Sequence, residues 1–222
     1  MDLPDVVYLC GPAVGDELRY SLRSVAAHLP HDRVWIVGHQ PRWVRQVEQI
    51  PVPQPAGQKW SNQEANLRAY CQQRDGTDRF LLFNDDFFVM RPLGQVPVWH
   101  RGPIGDLVGT YRQRRDEFVQ RLRNTAAHVG LDAPSYDSIH TPMLLDKGRL
   151  LDVLDSMPAK TLFRTVYGNR YQIGGTVHGD VKVKTNQPAH AGALLSTDDS
   201  GFLRGPAGKM IRARFPRRSP YE

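Results

Sequence analysis

Cysteine is scarce in this chain: two among 222 residues, Cys10 and Cys71. Two cannot build a disulfide framework and their spacing matches no metal-binding pattern, so both read as small buried hydrophobes. No apolar run approaches the roughly 20 residues needed to cross a bilayer, and no membrane association is expected. Met1 to Asp5 lack the basic and apolar regions of a secretion signal, so the expected location is the cytoplasm. Internal repeats and low-complexity tracts are missing too, which sets aside repeat architectures.

What is present is ordinary globular material, 40% hydrophobic and 23% charged, enough for a single domain over residues 1–222. Lys and Arg number 29 against 23 Asp and Glu, a net charge of +6. That excess suits a polyanionic partner such as nucleic acid, an anionic polymer or a phosphorylated donor.

Val6-Val-Tyr-Leu-Cys10 predicts a first strand. Leu18, Leu22, Val25 and Leu29 recur at helical spacing, with Asp16 and Glu17 in the first turn, where acids favour the helix dipole, and Pro30 at the end. Arg33 to Gly38 predicts a second strand. Strand, helix and strand over about thirty residues is a βαβ pattern, which implies an α/β fold with a largely parallel sheet. The prolines and glycine of residues 51–58 predict a loop, and Ser61 with Glu64 is a capping-box signature for a helix running to about Arg74. Gly94 to Gly109 reads as a loop or hairpin. One long helix is expected from about Thr110 to Val129, with Phe118, Val119, Leu122, Ala126 and Val129 on one side and arginines flanking them. A loop at Ser135–Pro142, a helix near Lys147–Ser156 and a segment around Gly174–Lys184 follow. The C-terminal stretch is basic, with Lys209, Arg212, Arg214, Arg217 and Arg218.

The most informative segment is Phe80-Leu-Leu-Phe83, an apolar run that stops at Asn84-Asp85-Asp86 and resumes with Phe87, Phe88 and Val89. Two adjacent carboxylates are costly to bury unless paired or bound to a cation. Hard divalent ions, Mn²⁺ or Mg²⁺, accept such oxygens and in turn neutralise nucleotide phosphates. Two readings stand: a metal seat at a strand end, with Asp86 and Asp85 as ligands and Asn84 orienting the turn, or a solvated acidic turn.

Asp5-Val-Val-Tyr8, Glu17-Leu-Arg-Tyr-Ser-Leu-Arg-Ser-Val25, Trp35-Ile-Val-Gly38 with Pro41-Arg-Trp43, and Phe83-Asn-Asp-Asp-Phe-Phe88 together resemble the Stealth family of sugar-phosphate transferases. That family includes bacterial capsular polysaccharide phosphotransferases and the animal enzyme that tags lysosomal proteins. The resemblance spans residues 5–93, and Ile139-His-Thr-Pro142 is similar to a later element of the family. One departure stands out: the first strand continues Leu9-Cys-Gly-Pro12, where the family usually has Trp-Val-Asp-Gly, so an acid beside that strand is missing. In this reduced form the chain looks like compact glycosyltransferases of bacteriophages and actinobacteria. The resemblance implies a GT-A-like, Rossmann-related mixed sheet, mostly parallel and flanked by helices. It further implies a nucleotide-sugar half at 1–93 and an acceptor half at 94–222, in the host cytoplasm if phage-encoded.

Several candidate residues follow. Arg19 and Arg23 lie one helical turn apart and are read either as contacts to donor phosphate, alongside Asn84 and Asp85, or as surface charge. His178 and Asp180, after Gly174-Gly175, offer proton transfer or form a plain turn. Asp137 and His140 form another pair, His140 for metal, phosphate or proton and Asp137 to orient it, or else a packed loop. Ser196-Thr-Asp-Asp-Ser200 either closes the site from a late strand or is a solvated turn. Arg112, Arg114, Arg115 and Arg121 are candidates for contact with a polyanionic acceptor, or form a solvated basic face.

Three functions compete. The first is metal-dependent transfer of a sugar from a nucleotide-sugar donor to a hydroxyl, with a hydroxymethylated pyrimidine in DNA as an acceptor that would account for the basic balance. The second is Stealth-type transfer of a sugar-1-phosphate to a glycan. The third is a non-enzymatic nucleic-acid-binding module, which the paired acids oppose because they repel phosphate unless a cation joins them.

Overall fold

The computed structural model describes residues 3–12, 15–189 and 192–222. The chain opens with β1 (Asp5–Cys10), α1 (Glu17–His28), β2 (Val34–Gly38), β3 (Glu48–Ile50), α2 (Lys59–Cys71), β4 (Arg79–Phe83) and β5 (Phe87–Val89). There follow β6 (Trp99–His100), α3 (Ile104–Thr110), α4 (Glu117–Val129), β7 (Met143–Asp146), α5 (Lys147–Ser156) and α6 (Phe163–Arg170). It ends with β8 (Thr176–Val177), β9 (Lys182–Val183), β10 (Leu194–Thr197), α7 (Asp199–Arg204) and α8 (Pro206–Arg214).

Two compact units result. The first takes Met1–Val96, Thr141–Gly148 and Val181–Glu222, the second Pro97–His140 and Arg149–Asp180. In the first unit a five-stranded sheet runs in the order β3-β2-β1-β4-β7. The pairs β1–β2, β1–β4 and β2–β3 are parallel, and β7 joins the edge antiparallel. The continuous apolar sequences of β1, β2 and β4 are those of strands buried on both faces, and their side chains are almost wholly buried.

A second sheet of three strands, β5-β10-β9, completes this unit, with β10 antiparallel to β5 and parallel to β9. Its register aligns Ser196 with both Phe87 and Lys182. Below it Phe88, Leu195, Val183, Phe202, Ile211 and Phe215 form a core, with the Phe88 and Phe202 rings stacked 5.9 Å apart. Gly208 permits α8 to close on α7, because a side chain there would overlap the backbone of Phe202.

Asp5 is a buried polar hub at the start of β1. Its Oδ2 accepts from Trp35 Nε1 at 2.8 Å, the Tyr70 hydroxyl at 2.8 Å and Thr77 N at 2.9 Å, and its Oδ1 from Arg33 N at 3.2 Å. The carboxylate thus ties together β1, β2, α2 and the turn before β4.

The second unit holds a two-stranded parallel ribbon, Trp99 beside Thr176 and His100 beside Val177, together with α3, α4, α6 and most of α5. Val119, Leu122 and Ala126 bury one side of α4. The Thr125 hydroxyl in the same helix accepts from Leu162 N at 2.8 Å.

Three local expectations are corrected. The long helix expected from Thr110 to Val129 begins only at Glu117, after a turn, because Asp116 acts as an N-cap: its Oδ1 accepts from Val119 N at 3.3 Å and starts α4 there. The Gly94–Gly109 loop contains β6 and all but the last residue of α3, elements too short to carry a readable signal. Ser61 lies inside α2, not at its cap. Its hydroxyl donates back to Gln58 O at 3.1 Å, and Glu64 pairs with Arg68 one turn on.

Candidate active site

Asn84, Asp85 and Asp86 form the turn from β4 to β5, closed by Phe87 N donating to Asn84 O at 3.2 Å. Asp86 Oδ2 accepts from Lys182 Nζ at 2.9 Å and from the Ser196 hydroxyl at 3.1 Å. The register of the second sheet explains this meeting, since Phe87, Ser196 and Lys182 align across its three strands.

The other oxygen, Asp86 Oδ1, is buried and has no partner among the described residues, and the same holds for Oε1 of Glu17 in the first turn of α1. Glu17 is only 7% exposed. Burial raises its carboxyl above the ordinary range, and Asp199 and Asp86 add to the rise. Asp85 is pushed up to about 6, first by burial and then by Asp86, Glu17 and Asp199. Asp85 at the end of β4 therefore feels the like charge of Asp86, Glu17 and Asp199, while Lys182 is a cation bound to Asp86.

Such a set of acids suits a divalent cation, and among the described residues two buried carboxylate oxygens have no partner. Among the described residues no three Asp, Glu, His or Cys side chains gather closely enough to cage a metal.

Arg19 and Arg23 meet a carboxylate of the chain itself. Glu222 accepts from Arg19 Nη1 at 2.8 Å and from Arg23 Nε at 2.6 Å and Nη2 at 2.9 Å. Arg19 also lies over the Trp43 ring and Arg23 over Tyr20. Contact of these guanidiniums with phosphate would require Glu222 to give way. Burial favours the neutral Glu222 acid, but the hydrogen bonds from Arg23 and Arg19 outweigh it and hold its carboxyl at about 2. The folded-state value thus lies below the ordinary 4.5, so the stabilisation is complete above pH 4.5 and lost as pH falls toward 2. Glu222→Gln is expected to cost about 3 kcal/mol at pH 7, because Arg23 stays largely buried with its ion pair broken. The gap between variant and wild type in urea melts should close between pH 4.5 and 2.

In the second unit His140 and Asp180, forty positions apart in sequence, meet: Nδ1 of the ring donates to Asp180 Oδ1 at 2.8 Å. A carboxylate only accepts, so the neutral ring carries its lone pair on Nε2. Arg101 Nη1 lies 4.0 Å from the other carboxylate oxygen. His140 holds a left-handed backbone, φ +50°, a conformation costly for a residue with a side chain. His178 stacks on Trp99, ring centroids 3.9 Å apart and planes within 8°. Gly175 lets β8 run beside β6, because a side chain there would strike Val98 O.

Asp137 is engaged elsewhere: its Oδ2 accepts from Thr165 N at 2.8 Å in the first turn of α6, and the acid that orients His140 is Asp180. Arg112, Arg114 and Arg115 occupy the turn between α3 and α4. Arg114 pairs with Asp116 at 2.8 Å and Arg115 donates to Arg112 O. Arg121, on α4, pairs with Glu117 at 3.0 Å.

The sequence reading missed Glu17 and Lys182. Glu17 was assigned to the helix dipole. Lys182 sits in Val181-Lys-Val183, where the flanking valines are buried, and that alternation is the one signal that points its ammonium to the opposite face.

No family model matches this chain, and no curated protein sequence matches it. Its fold does match solved structures of glycosyltransferases. An active-site mutant of LgtC superposes with a TM-score of 0.53 at 13% identity, over 95% of this chain and 94% of that one. Apo GlyE of Streptococcus pneumoniae TIGR4 gives 0.39 at 10% identity, over 81% of this chain and 46% of that one. A second GlyE structure gives 0.40 at 10% identity, over 97% and 50%. The chain thus spans about half the length of the GlyE chains. The likeness to LgtC establishes the fold: mixed α/β, with a mostly parallel central sheet flanked by helices.

Proposed function

We propose that this protein is a glycosyltransferase that moves a sugar from a nucleotide-sugar donor to a hydroxyl acceptor. The observation that carries the reading is the pair of buried acids Asp86 and Glu17, each with an oxygen that has no partner among the described residues. A fold shared with LgtC supports it. Asp86 and Asp85 are assigned to hold Mn²⁺ or Mg²⁺, which when bound neutralises the charge that grows on the departing diphosphate. Asn84 fixes the turn that presents the two acids.

In the reaction the acceptor hydroxyl oxygen bonds to the anomeric carbon while the bond from that carbon to the diphosphate breaks. The nucleoside diphosphate leaves with the electron pair. The hydroxyl proton needs a base, and the His140–Asp180 pair of the second unit has the chemistry of one: a neutral ring with its lone pair on Nε2 and a carboxylate that stabilises the imidazolium. The acceptor is proposed to be a polyanion, with a hydroxymethylated pyrimidine in DNA as the specific case. Arg112, Arg114 and Arg115 support it, exposed together in one turn and suited to phosphate.

Calorimetry with a panel of UDP-, GDP- and other activated sugars, with and without Mn²⁺, tests the assignment, followed by product analysis. One donor should bind in the micromolar range and release a nucleoside diphosphate on transfer. Release of a nucleoside monophosphate would instead identify a Stealth-type sugar-1-phosphate transferase. Failure of every donor, with DNA still bound, would leave a binding module.

A further inference from the structure

The ammonium of Lys182 has an unusual position for a structural ion pair. It reaches one oxygen of Asp86 at 2.9 Å, beside the hydroxyl of Ser196, while the second oxygen of the same carboxylate is buried with no partner among the described residues. Glu17, 7% exposed, leaves another buried oxygen unmet. An ion pair that served stability alone would spend both carboxylate oxygens, because an orphaned buried acceptor carries its full desolvation cost.

We infer that Lys182 is an exchangeable counter-ion: it occupies Asp86 in the empty protein, yields that carboxylate to a divalent cation, and then pairs with the diphosphate of the donor. This extends the transferase reading, on which its last step rests. The chemistry fits each stage. A lysine ammonium is a compact point charge on a flexible stem, so it moves between oxygen anions with little geometric demand, unlike a forked guanidinium. Lys182 is a quarter exposed and Asp86 somewhat less, so the ammonium has room to leave. Ser196 stays behind to hold Oδ2, its place set by the β10 register. The cation meets an oxygen already stripped of water, and the displaced positive charge goes to the dianionic group that arrives next. The protein would then bind metal weakly until donor is present, which orders the two events.

The test is Mn²⁺ binding to the protein alone, followed by electron paramagnetic resonance, in wild type, Lys182→Met, Lys182→Arg and Asp86→Asn. Removing a competing unit charge should tighten Mn²⁺ binding in Lys182→Met by about tenfold. The Mn²⁺-loaded variant should bind inorganic pyrophosphate about tenfold more weakly than loaded wild type. Lys182→Arg keeps the charge and holds Asp86 with a more demanding fork, so it should bind Mn²⁺ no more tightly than wild type, and Asp86→Asn should bind none. Unchanged or weaker Mn²⁺ binding in Lys182→Met would overturn the proposal and leave Lys182 a structural prop. Absence of Mn²⁺ binding in wild type and Lys182→Met alike would also overturn it. A donor bound without metal in the calorimetry would, in that case, still leave the transferase reading standing. Melting curves of each variant establish that it is folded.

Discussion

Asp86→Asn should abolish sugar transfer while leaving the protein folded. The expected fall in kcat/KM is about a thousandfold, the scale seen when a group that stabilises transition-state charge is removed. Its melting temperature should stay within about 3 °C of wild type, because two effects oppose. Lys182 loses its ionic partner, but Asp85 loses the nearest of the like charges that, after burial, push its carboxyl up to about 6. Loss of activity without loss of stability separates a functional carboxylate from a structural one. Paired measurements of transfer rate and thermal melting decide it. An Asp86→Asn enzyme within tenfold of wild type would remove this residue from the site.

Asp5→Asn should do the reverse and unfold much of the protein. The native carboxylate is fully buried and accepts from Trp35, Tyr70, Thr77 and Arg33. An amide presents two donors where one acceptor oxygen stood, so either the Oδ2 cluster or the Arg33 contact faces N–H against N–H. Leaving buried donors unmet at a charged site costs about 3 to 5 kcal/mol. At this chain length each kcal/mol is worth roughly 2–4 °C, so a fall of about 10 °C in melting temperature is expected. Circular dichroism melts at neutral pH would show it. A shift under about 3 °C would mean that the hub relaxes by admitting water.

These two acids also show where sequence is informative. β1, β2 and β4 declare themselves because strands covered on both faces must be apolar throughout, and the helical spacing from Leu18 to Leu29 marks α1 just as plainly. The Asn84–Asp86 turn stands out because charge interrupts such a run. Other features were hidden for physical reasons. β6 and β8 are two residues each and pair across more than seventy positions, so neither carries a period of its own. The late start of α4 is hidden because Asp116, its cap, looks like one charge among the many of residues 112–117. The partner of His140 was sought three residues upstream, at Asp137, although the fold supplies Asp180 from forty residues downstream. Local spacing cannot reveal which acid a loop histidine meets when both belong to loops.

The second sheet has a consequence for synthesis. Asp86 emerges from the ribosome 96 residues before Lys182 and 110 before Ser196. At ordinary elongation rates that is an interval of roughly 5 to 20 s. During it β5 has neither its hydrogen-bonding neighbour nor the cation that steadies the turn before it, so Phe87, Phe88 and Val89 form an unpaired apolar edge. The adjacent acids then serve the nascent chain as a gatekeeper: their repulsion hinders β5 from stacking on another nascent copy until β10 arrives. The same charge that readies the mature pocket for a cation guards an unfinished strand.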